Sequence, residues 1–380
     1  MNRTAWIAAL LLTSSLGVVS CGSGPDSLIG LRRDAPMAAA PGSDADLIAE
    51  ALDLTDGDRW MRTVRELSGR LPVKLSTGET VTLTSRHSST TGNTQAGQYI
   101  FDRLKALGYE VRFQTFQAPT GTERNVVATK PGTTRAGEIV VLGAHYDSTA
   151  QSADNAPGAD DNASGVATML EAATALAGYR LDRTVEFVAF GAEEQGLYGS
   201  SAFVQQAKDD REDVQVAVIC DMVGWWEDRY AIVIEGGLRY AGWMQIAADA
   251  TQTWSGLEYR RSWYSFGSDH VPFQNAHIPA FLVIEDEWYK APHYHSSADT
   301  ADVVDPDYGL DITHAVAATV AEAAGLEGRQ PKLSGAALAA PPYPEAPIVL
   351  RAGEAWSPEA LGETCRLHSE DEPAEISHGL

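Results

Sequence analysis

Cysteine is scarce in this chain. Its 380 residues hold three, Cys21, Cys220 and Cys365, and no pair stands at the C-x-x-C spacing of a zinc finger or a redox motif. A disulfide framework is therefore excluded. An exported chain permits a Cys220–Cys365 bridge, although Cys220 sits in an apolar run and Cys365 in a polar tail. Positive charge is also short: 28 Lys and Arg face 52 Asp and Glu, a formal net charge of −24. Such a chain is repelled by phosphate backbones, so no nucleic-acid partner is expected. A long uninterrupted apolar run is missing at the N-terminus, where the stretch 5–19 is broken by Thr13, Ser14 and Ser15 and is too short to span a bilayer. What is present is enough material for a core. Hydrophobic residues make up 44% and charged residues 21%, a globular composition rather than a disordered one.

The N-terminus reads as a targeting signal. Arg3 precedes the apolar stretch, which ends Val18-Val19-Ser20-Cys21. That ending resembles a bacterial lipobox, which implies residues 1–20 as a signal peptide and Cys21 as the lipidated mature N-terminus. The expectation is export and a lipid anchor to the bacterial cell envelope, at the outer membrane in a Gram-negative cell, because several acyl chains hold a protein to a membrane. Residues 21–45 are rich in Gly, Ser, Ala, Pro and Asp and read as a flexible tether. From 331 the pattern stops in a Pro-rich and then acidic extension, 331–380.

Between them, 46–330 alternates strand and helix signals. Helices are expected over 95–107, 164–176, 238–251 and 312–324, and strands over 110–116, 125–129, 138–142, 184–190, 214–219 and 279–284. Apolar strands alternating with helices predict an α/β fold with a mixed, mostly parallel sheet sandwiched between helices. Polar clusters stand where these strands end, the place where open α/β sheets build their sites. They are Gly143-Ala144-His145-Tyr146-Asp147-Ser148, Gly158 to Gly165 around Asp160-Asp161, Phe190-Gly191-Ala192-Glu193-Glu194, and Cys220-Asp221-Met222. A fifth, His293-Tyr294-His295-Ser296-Ser297-Ala298-Asp299-Thr300, lies in a late loop. Taken singly, each has a plain structural use, as a helix cap, a turn or a solvated loop. Together they assemble imidazole and carboxylate donors, the set zinc accepts. Two ions need one bridging carboxylate and two further ligands each, and the clusters supply that number.

The motifs GAHYDS, GADDNASG, GAEEQGLYGS, CDMVG and HSSADT resemble, in order and spacing, the M28 family of zinc peptidases, which includes co-catalytic aminopeptidases. The likeness runs over about 92–326 and implies a zinc-exopeptidase fold, of the phosphorylase/hydrolase-like kind, with two zinc ions per chain. It implies that Asp161 bridges the ions, that His145 and Asp221 complete one site, and that Glu194 and His295 complete the other. Glu193 is implied as the general base and Asp147 as the carboxylate that orients His145. The peptide bond after Asp161 is implied to be cis. In some members a Tyr directly before the last His stabilises the oxyanion, the place of Tyr294 here. In others the Tyr precedes a Ser-Asp-His motif, present here as Ser268-Asp269-His270 with Tyr264 upstream, out of register. The final His-x-x-x-Asp-Thr selects His295 over His293.

The function implied is metal-dependent removal of N-terminal residues from extracellular peptides or proteins. A carboxypeptidase or dipeptidase of the same fold is the alternative. A non-catalytic surface-binding protein is less well supported, because every ligand and the base are present. Trp225, Trp226, Trp254, Trp263 and Trp288 lie in or near the loops expected to hold the substrate side chain, so an apolar pocket is expected. The compact form of the family implies a monomer.

Overall fold

The computed structural model describes residues 44–265 and 267–330. The expected signal peptide, Cys21, Cys365 and the C-terminal extension lie outside the described residues. The first helix, α1 (Asp44–Leu52), begins inside the expected tether, and α2 (Gly57–Leu67) follows. Asp56 caps α2 by accepting from the Arg59 N–H. A small hairpin, β1 (Val73–Lys74) and β2 (Thr80–Val81), leads to α3 (Thr91–Ala106).

The main sheet starts with β3 (Glu110–Ala118), β4 (Gly121–Lys130) and β5 (Arg135–His145). A six-residue π-type turn (Ala159–Ser164) then runs into α4 (Gly165–Leu176). Next come β6 (Tyr179–Leu181), β7 (Arg183–Phe190), α5 (Tyr198–Asp210), β8 (Asp213–Cys220) and β9 (Ala231–Gly236). The chain continues through α6 (Ala241–Trp254), β10 (Glu258–Ser262), α7 (His270–Asn275) and β11 (Ala280–Glu285). It closes with α8 (Pro306–Ala324) and β12 (Leu326–Arg329), which pairs with β6. Asp305 caps α8, with Pro306 in its first turn and Gly325 in the left-handed conformation at its end.

The eight strands of the main sheet lie in the order β10-β9-β11-β8-β5-β7-β4-β3. The central run β11-β8-β5-β7 is parallel, while β3, β4 and the β9–β11 pair are antiparallel. Both faces are covered, which is why the central strands read as continuous apolar runs. Along β5, Val140 and Leu142 join one core cluster with Trp60, Ile100, Leu170, Met244 and Val316. Ile139 and Val141 join the other with Phe203, Val204 and Phe273. The period of two along each strand thus sorts residues between a large helical layer (α1–α4, α6, α8) and a small one (α5, α7). This is the expected α/β fold with a mixed sheet between helices. Cys220 closes β8 as a free, buried thiol. No helix among the described residues is long and apolar enough to cross a membrane.

Candidate metal centre

The ends of β5, β7 and β8 point their last residues to one place. His145 is the final residue of β5, Asp221 directly follows β8, and Glu193-Glu194 follow β7 by a short turn. Asp161 enters from the π-type turn, where its backbone (φ −106°, ψ 90°) is not helical, and the Asp161–Asn162 peptide is cis. Asn162 ties this turn to the end of β8. Its amide donates to the Cys220 carbonyl (2.9 Å), and its Oδ1 accepts from the Gly165 N–H (2.9 Å) and the Met222 N–H (3.3 Å). His295 arrives from the loop before α8.

The arrangement around Asp161 is two-sided. Its Oδ1 lies 3.2 Å from His145 Nε2, which is also 3.2 Å from Asp221 Oδ1. Its Oδ2 lies 3.2 Å from His295 Nε2, which is 3.1 Å from Glu194 Oε2. Two donors bound tetrahedrally at zinc–ligand lengths of about 2.0 Å stand roughly 3.3 Å apart. The observed spacings match that figure on both sides, so the donor set and its geometry fit zinc. Ligand atoms of His145, Asp161 and Glu194, and those of His145, Glu193 and Asp221, each gather within 4.8 Å.

Electrostatics agree with the geometry. Burial pushes Glu194 up to about 7, helped by the neighbouring Asp161 carboxylate. Burial also raises Glu193 well above the ordinary carboxylate range; Asp269, Asp221 and Glu194 add to the rise, and His145 opposes it. For the imidazoles burial works downward, but Asp161 and Glu194 outweigh it at His295, pushed up to about 10. Asp221 and Glu193 do the same at His145. Asp161 is held below the usual range, because hydrogen bonds with His145 and His295 overcome its burial. Each shift has one meaning: this cluster of carboxylates calls for positive charge.

Asp147 stands beside His145 and also holds the two glutamates. Its carboxylate is 3.8 Å from His145 Nδ1, while its backbone carbonyl oxygen lies 3.2 Å from that nitrogen. The carboxylate instead accepts the Glu193 N–H (3.0 Å) and the Glu194 N–H (3.2 Å). Asp147 therefore fixes the His145 ring with its main chain and the two glutamates with its side chain. Asp299, inside the quoted HSSADT motif, acts likewise on Asp161. Its oxygens accept the N–H groups of Asp160 (2.8 Å) and Asp161 (2.9 Å). His293 stays out of the metal cluster and pairs with Asp160 Oδ2 at 3.2 Å. Asp160 Oδ1 accepts the Gly224 N–H at 3.0 Å. Ser268 donates to Asp221 Oδ2 at 2.7 Å.

Sequence reasoning missed Arg86. Its guanidinium is fully buried and donates to the carbonyls of Leu67, Tyr146, Pro157 and Gly158, binding the loop after β5 to the turn that carries Asp161. A lone arginine outside every motif gives no signal.

A cavity of about 300 Å³ opens on the cluster. Met222, Leu282, Ile284 and Trp288 form its apolar wall, and Tyr294 lines it too, its ring stacked on His295 at 3.7 Å. Tyr264 is 85% exposed and is not among the described residues lining the cavity. Of the tryptophans expected at the substrate, Trp288 alone among the described residues lines it. Trp225 packs edge-on against His293, and Trp226 donates to Asp305.

This sheet carries a buried imidazole and carboxylate cluster that could hold a metal ion. The family model for peptidase family M28 matches residues 125–320, half of the chain, and the chain belongs to that family. It is 33% identical over 220 residues to aminopeptidase YwaD of Bacillus subtilis, covering 56% of this chain and 47% of that protein. It is 30% identical over 250 residues to leucine aminopeptidase 1 of Ajellomyces capsulatus, covering 60% of this chain and 64% of that protein. The chain thus spans about half to two-thirds of the length of these relatives. A solved zinc aminopeptidase from Bacillus subtilis shares the fold, with a TM-score of 0.61, 18% identity, and coverage of 74% of this chain and 97% of that one.

Proposed function

We propose that this chain is a zinc-dependent aminopeptidase that binds two ions per chain. The observation that carries the reading is Asp161, whose two oxygens face separate imidazole–carboxylate pairs at 3.1 to 3.2 Å. Those spacings support a reading in which His145 and Asp221 would hold one ion, Glu194 and His295 would hold the other, and Asp161 would serve both. Zinc in such a site supplies Lewis acidity toward a carbonyl oxygen and acidifies water near neutral pH. Glu193 is buried beside the ligands and free of the ion pairs they make, which suits a general base. It takes the proton of the attacking water and returns it to the leaving amine. Tyr294 donates a hydrogen bond to the oxygen that gains charge as the carbonyl becomes tetrahedral. The names of the curated relatives support cleavage at the N-terminus. The lipobox-like ending at Cys21 supports export, anchoring at the bacterial envelope, and extracellular peptides as substrates.

Elemental analysis of the purified protein, with release from aminoacyl p-nitroanilides before and after a chelator, tests this. The expected outcome is about two zinc per chain and chelator-sensitive release. Glu193→Gln should lower kcat by roughly 10²–10⁴ while keeping the metal. A protein that takes up no zinc, or a Glu193→Gln variant of wild-type activity, overturns the mechanism. Bound zinc with release only from C-terminal or dipeptide substrates replaces aminopeptidase with carboxypeptidase or dipeptidase.

A further inference from the structure

Three aromatic residues stand close together in the segment that ends in His295. Trp288 opens a one-turn helix (Trp288–Lys290), Tyr289 follows it, and Tyr294 precedes the histidine. Their rings form a row. Tyr294 stacks on His295 at 3.7 Å, Trp288 stands 6.2 Å from Tyr294, and Tyr289 stands 6.1 Å from Trp288. The row leads outward. Trp288 and Tyr294 line the cavity, while Tyr289 lies beyond its described lining and is 65% exposed. A single exposed ring is ordinary, but a continuous apolar strip that begins at a cavity marks a place where something binds.

The turn that carries Tyr289 is firmly tied. Lys290 donates to Glu287 Oε1 (2.6 Å) and to Asp228 Oδ2 (3.0 Å). Glu287 Oε2 accepts the N–H groups of Asp228 (2.8 Å) and Arg229 (3.1 Å). Within the turn, the Lys290 N–H donates to the Glu287 carbonyl (2.7 Å) and the Ala291 N–H to the Trp288 carbonyl (3.1 Å). These bonds fasten the turn to the segment before β9 and hold the Tyr289 ring outward. A ring placed in advance loses little freedom when a partner covers it, which is why such rings serve as binding contacts.

We infer that Trp288 and Tyr289 form a subsite for an aromatic or large apolar side chain on the first or second residue after the cleaved bond. The inference rests on the aminopeptidase reading. In that reading the N-terminal residue enters the cavity, against the wall of Met222, Leu282 and Ile284, and the rest of the peptide leaves over the rim. The row of rings starts at Tyr294, which faces the carbonyl under attack. An extended peptide advances about 3.3 Å per residue, and the rings follow one another at 6.1 to 6.2 Å. Tyr289 is therefore within reach of the first two residues on the leaving side. A phenylalanine there covers the exposed ring in an offset or edge-on contact, and a glycine leaves it bare.

The test compares kcat/KM, from initial rates of leucine release, for the tripeptides Leu-Gly-Gly, Leu-Phe-Gly and Leu-Gly-Phe. The proteins are the wild type, Tyr289→Ala, Tyr289→Phe and, as a control on the loop after β10, Tyr264→Ala, whose ring is 85% exposed. Calorimetric binding of the same peptides to Glu193→Gln, with and without Tyr289→Ala, is measured in parallel. The expected result is a preference for a phenylalanine-containing peptide over Leu-Gly-Gly of at least about fivefold, the scale of one aromatic contact. Tyr289→Ala should remove the preference while Leu-Gly-Gly hydrolysis persists as evidence of an intact fold. Tyr289→Phe should keep it, because the ring makes the contact. Equal rates on the three peptides in the wild type overturn the assignment and leave the aminopeptidase standing. So does a preference that survives Tyr289→Ala or falls only in Tyr264→Ala. An equal loss on all three peptides in Tyr289→Ala also overturns it, because the residue then supports the site as a whole. Sedimentation checks the other occupant: a dimer that Tyr289→Ala dissolves, with the peptide preference unchanged, gives the strip to a second copy of the chain. If nothing is hydrolysed, the aminopeptidase reading falls, and the calorimetry still decides the subsite. Tighter binding of a phenylalanine-containing peptide that depends on Tyr289 upholds it, and equal binding of the three sinks it.

Discussion

Two buried basic side chains, Arg86 and Lys130, show how differently this protein houses charge. Arg86 has four main-chain carbonyls around its guanidinium, and burial lowers it only to about 10, against attraction from Asp299, Asp147 and Asp161. It stays charged and binds the site's loops together. Lys130, the last residue of β4, donates to the Ala177 carbonyl at 3.0 Å and lies 5.8 Å from the Tyr109 ring. Burial pushes it down to about 8. The folded pKa is thus depressed below that of the unfolded chain, and between the two values the unfolded state binds more protons. Stability must then rise with pH across that window. Denaturant unfolding of the wild type and Lys130→Met at pH 7 and pH 9.5 checks this. The wild type should gain about 2 kcal/mol relative to the variant on going to the higher pH. Equal pH slopes in the two proteins would show that the lysine is not desolvated.

At the scale of elements, α4 determines whether Asp161 and Asp221 can meet. Its first residue, Gly165, approaches the end of β8 so closely that a Cβ there would stand 2.6 Å from the Cys220 carbonyl oxygen and 2.3 Å from Asn162 Oδ1. A methyl group must push the helix off the strand, because one contact is main chain. The turn that runs into the helix carries Asp161, and Asp221 directly follows the strand. Gly165→Ala should therefore weaken zinc binding by at least about tenfold, in line with the cost of disturbing groups around a metal site. Competition with a chromophoric chelator reads that loss, and unchanged zinc affinity would show that the contact gives way without moving Asp161. The same elements show what the sequence disclosed. The central strands were legible because burial on both faces makes them apolar throughout, and the clusters of His145, Glu193-Glu194 and Asp221 were legible because each follows such a strand. Their bounds moved by a few residues, as at β5, expected over 138–142 and found as Arg135–His145. α5 was not foreseen, since only Phe203, Val204 and Ala207 of its 13 residues reach the core cluster it packs on. β10 was not foreseen either, because an edge strand reading Glu-Tyr-Arg-Arg-Ser shows no apolar alternation. The Asp160–His293 pair joins residues 133 positions apart, and Arg86 reaches across 60 to the Tyr146 carbonyl. Periodicity and motif reading are blind to such partners.

For the molecule as a whole, the metal centre and the fold are one energetic system. The folded chain brings Asp160, Asp161, Glu193, Asp221, Asp269, Glu285 and Asp299, with the side chain of Glu194, into a buried region of a chain already at −24. Burial raises Asp299 to about 8 and Asp269 to about 7, with neighbouring carboxylates adding to both. An ion bound between Asp161 and its partners offsets repulsion that the unfolded chain does not feel, so zinc should stabilise the native state by mass action. At a hundred times its dissociation constant a ligand contributes about 2.7 kcal/mol. In a domain of this size that corresponds to a rise in Tm of roughly 4–5 °C. Thermal scans of chelator-treated protein across a zinc titration should show that rise. His145→Ala removes the nitrogen shared by Asp161 and Asp221 and should flatten the curve, although the variant still folds because the core clusters are untouched. Magnesium, which takes oxygen ligands in octahedral geometry, should not reproduce the effect of zinc at equal concentration. If magnesium stabilises as well as zinc, or His145→Ala responds like the wild type, the stabilisation comes from general screening of the acidic chain. The two-sided geometry around Asp161 would then lose its thermodynamic support.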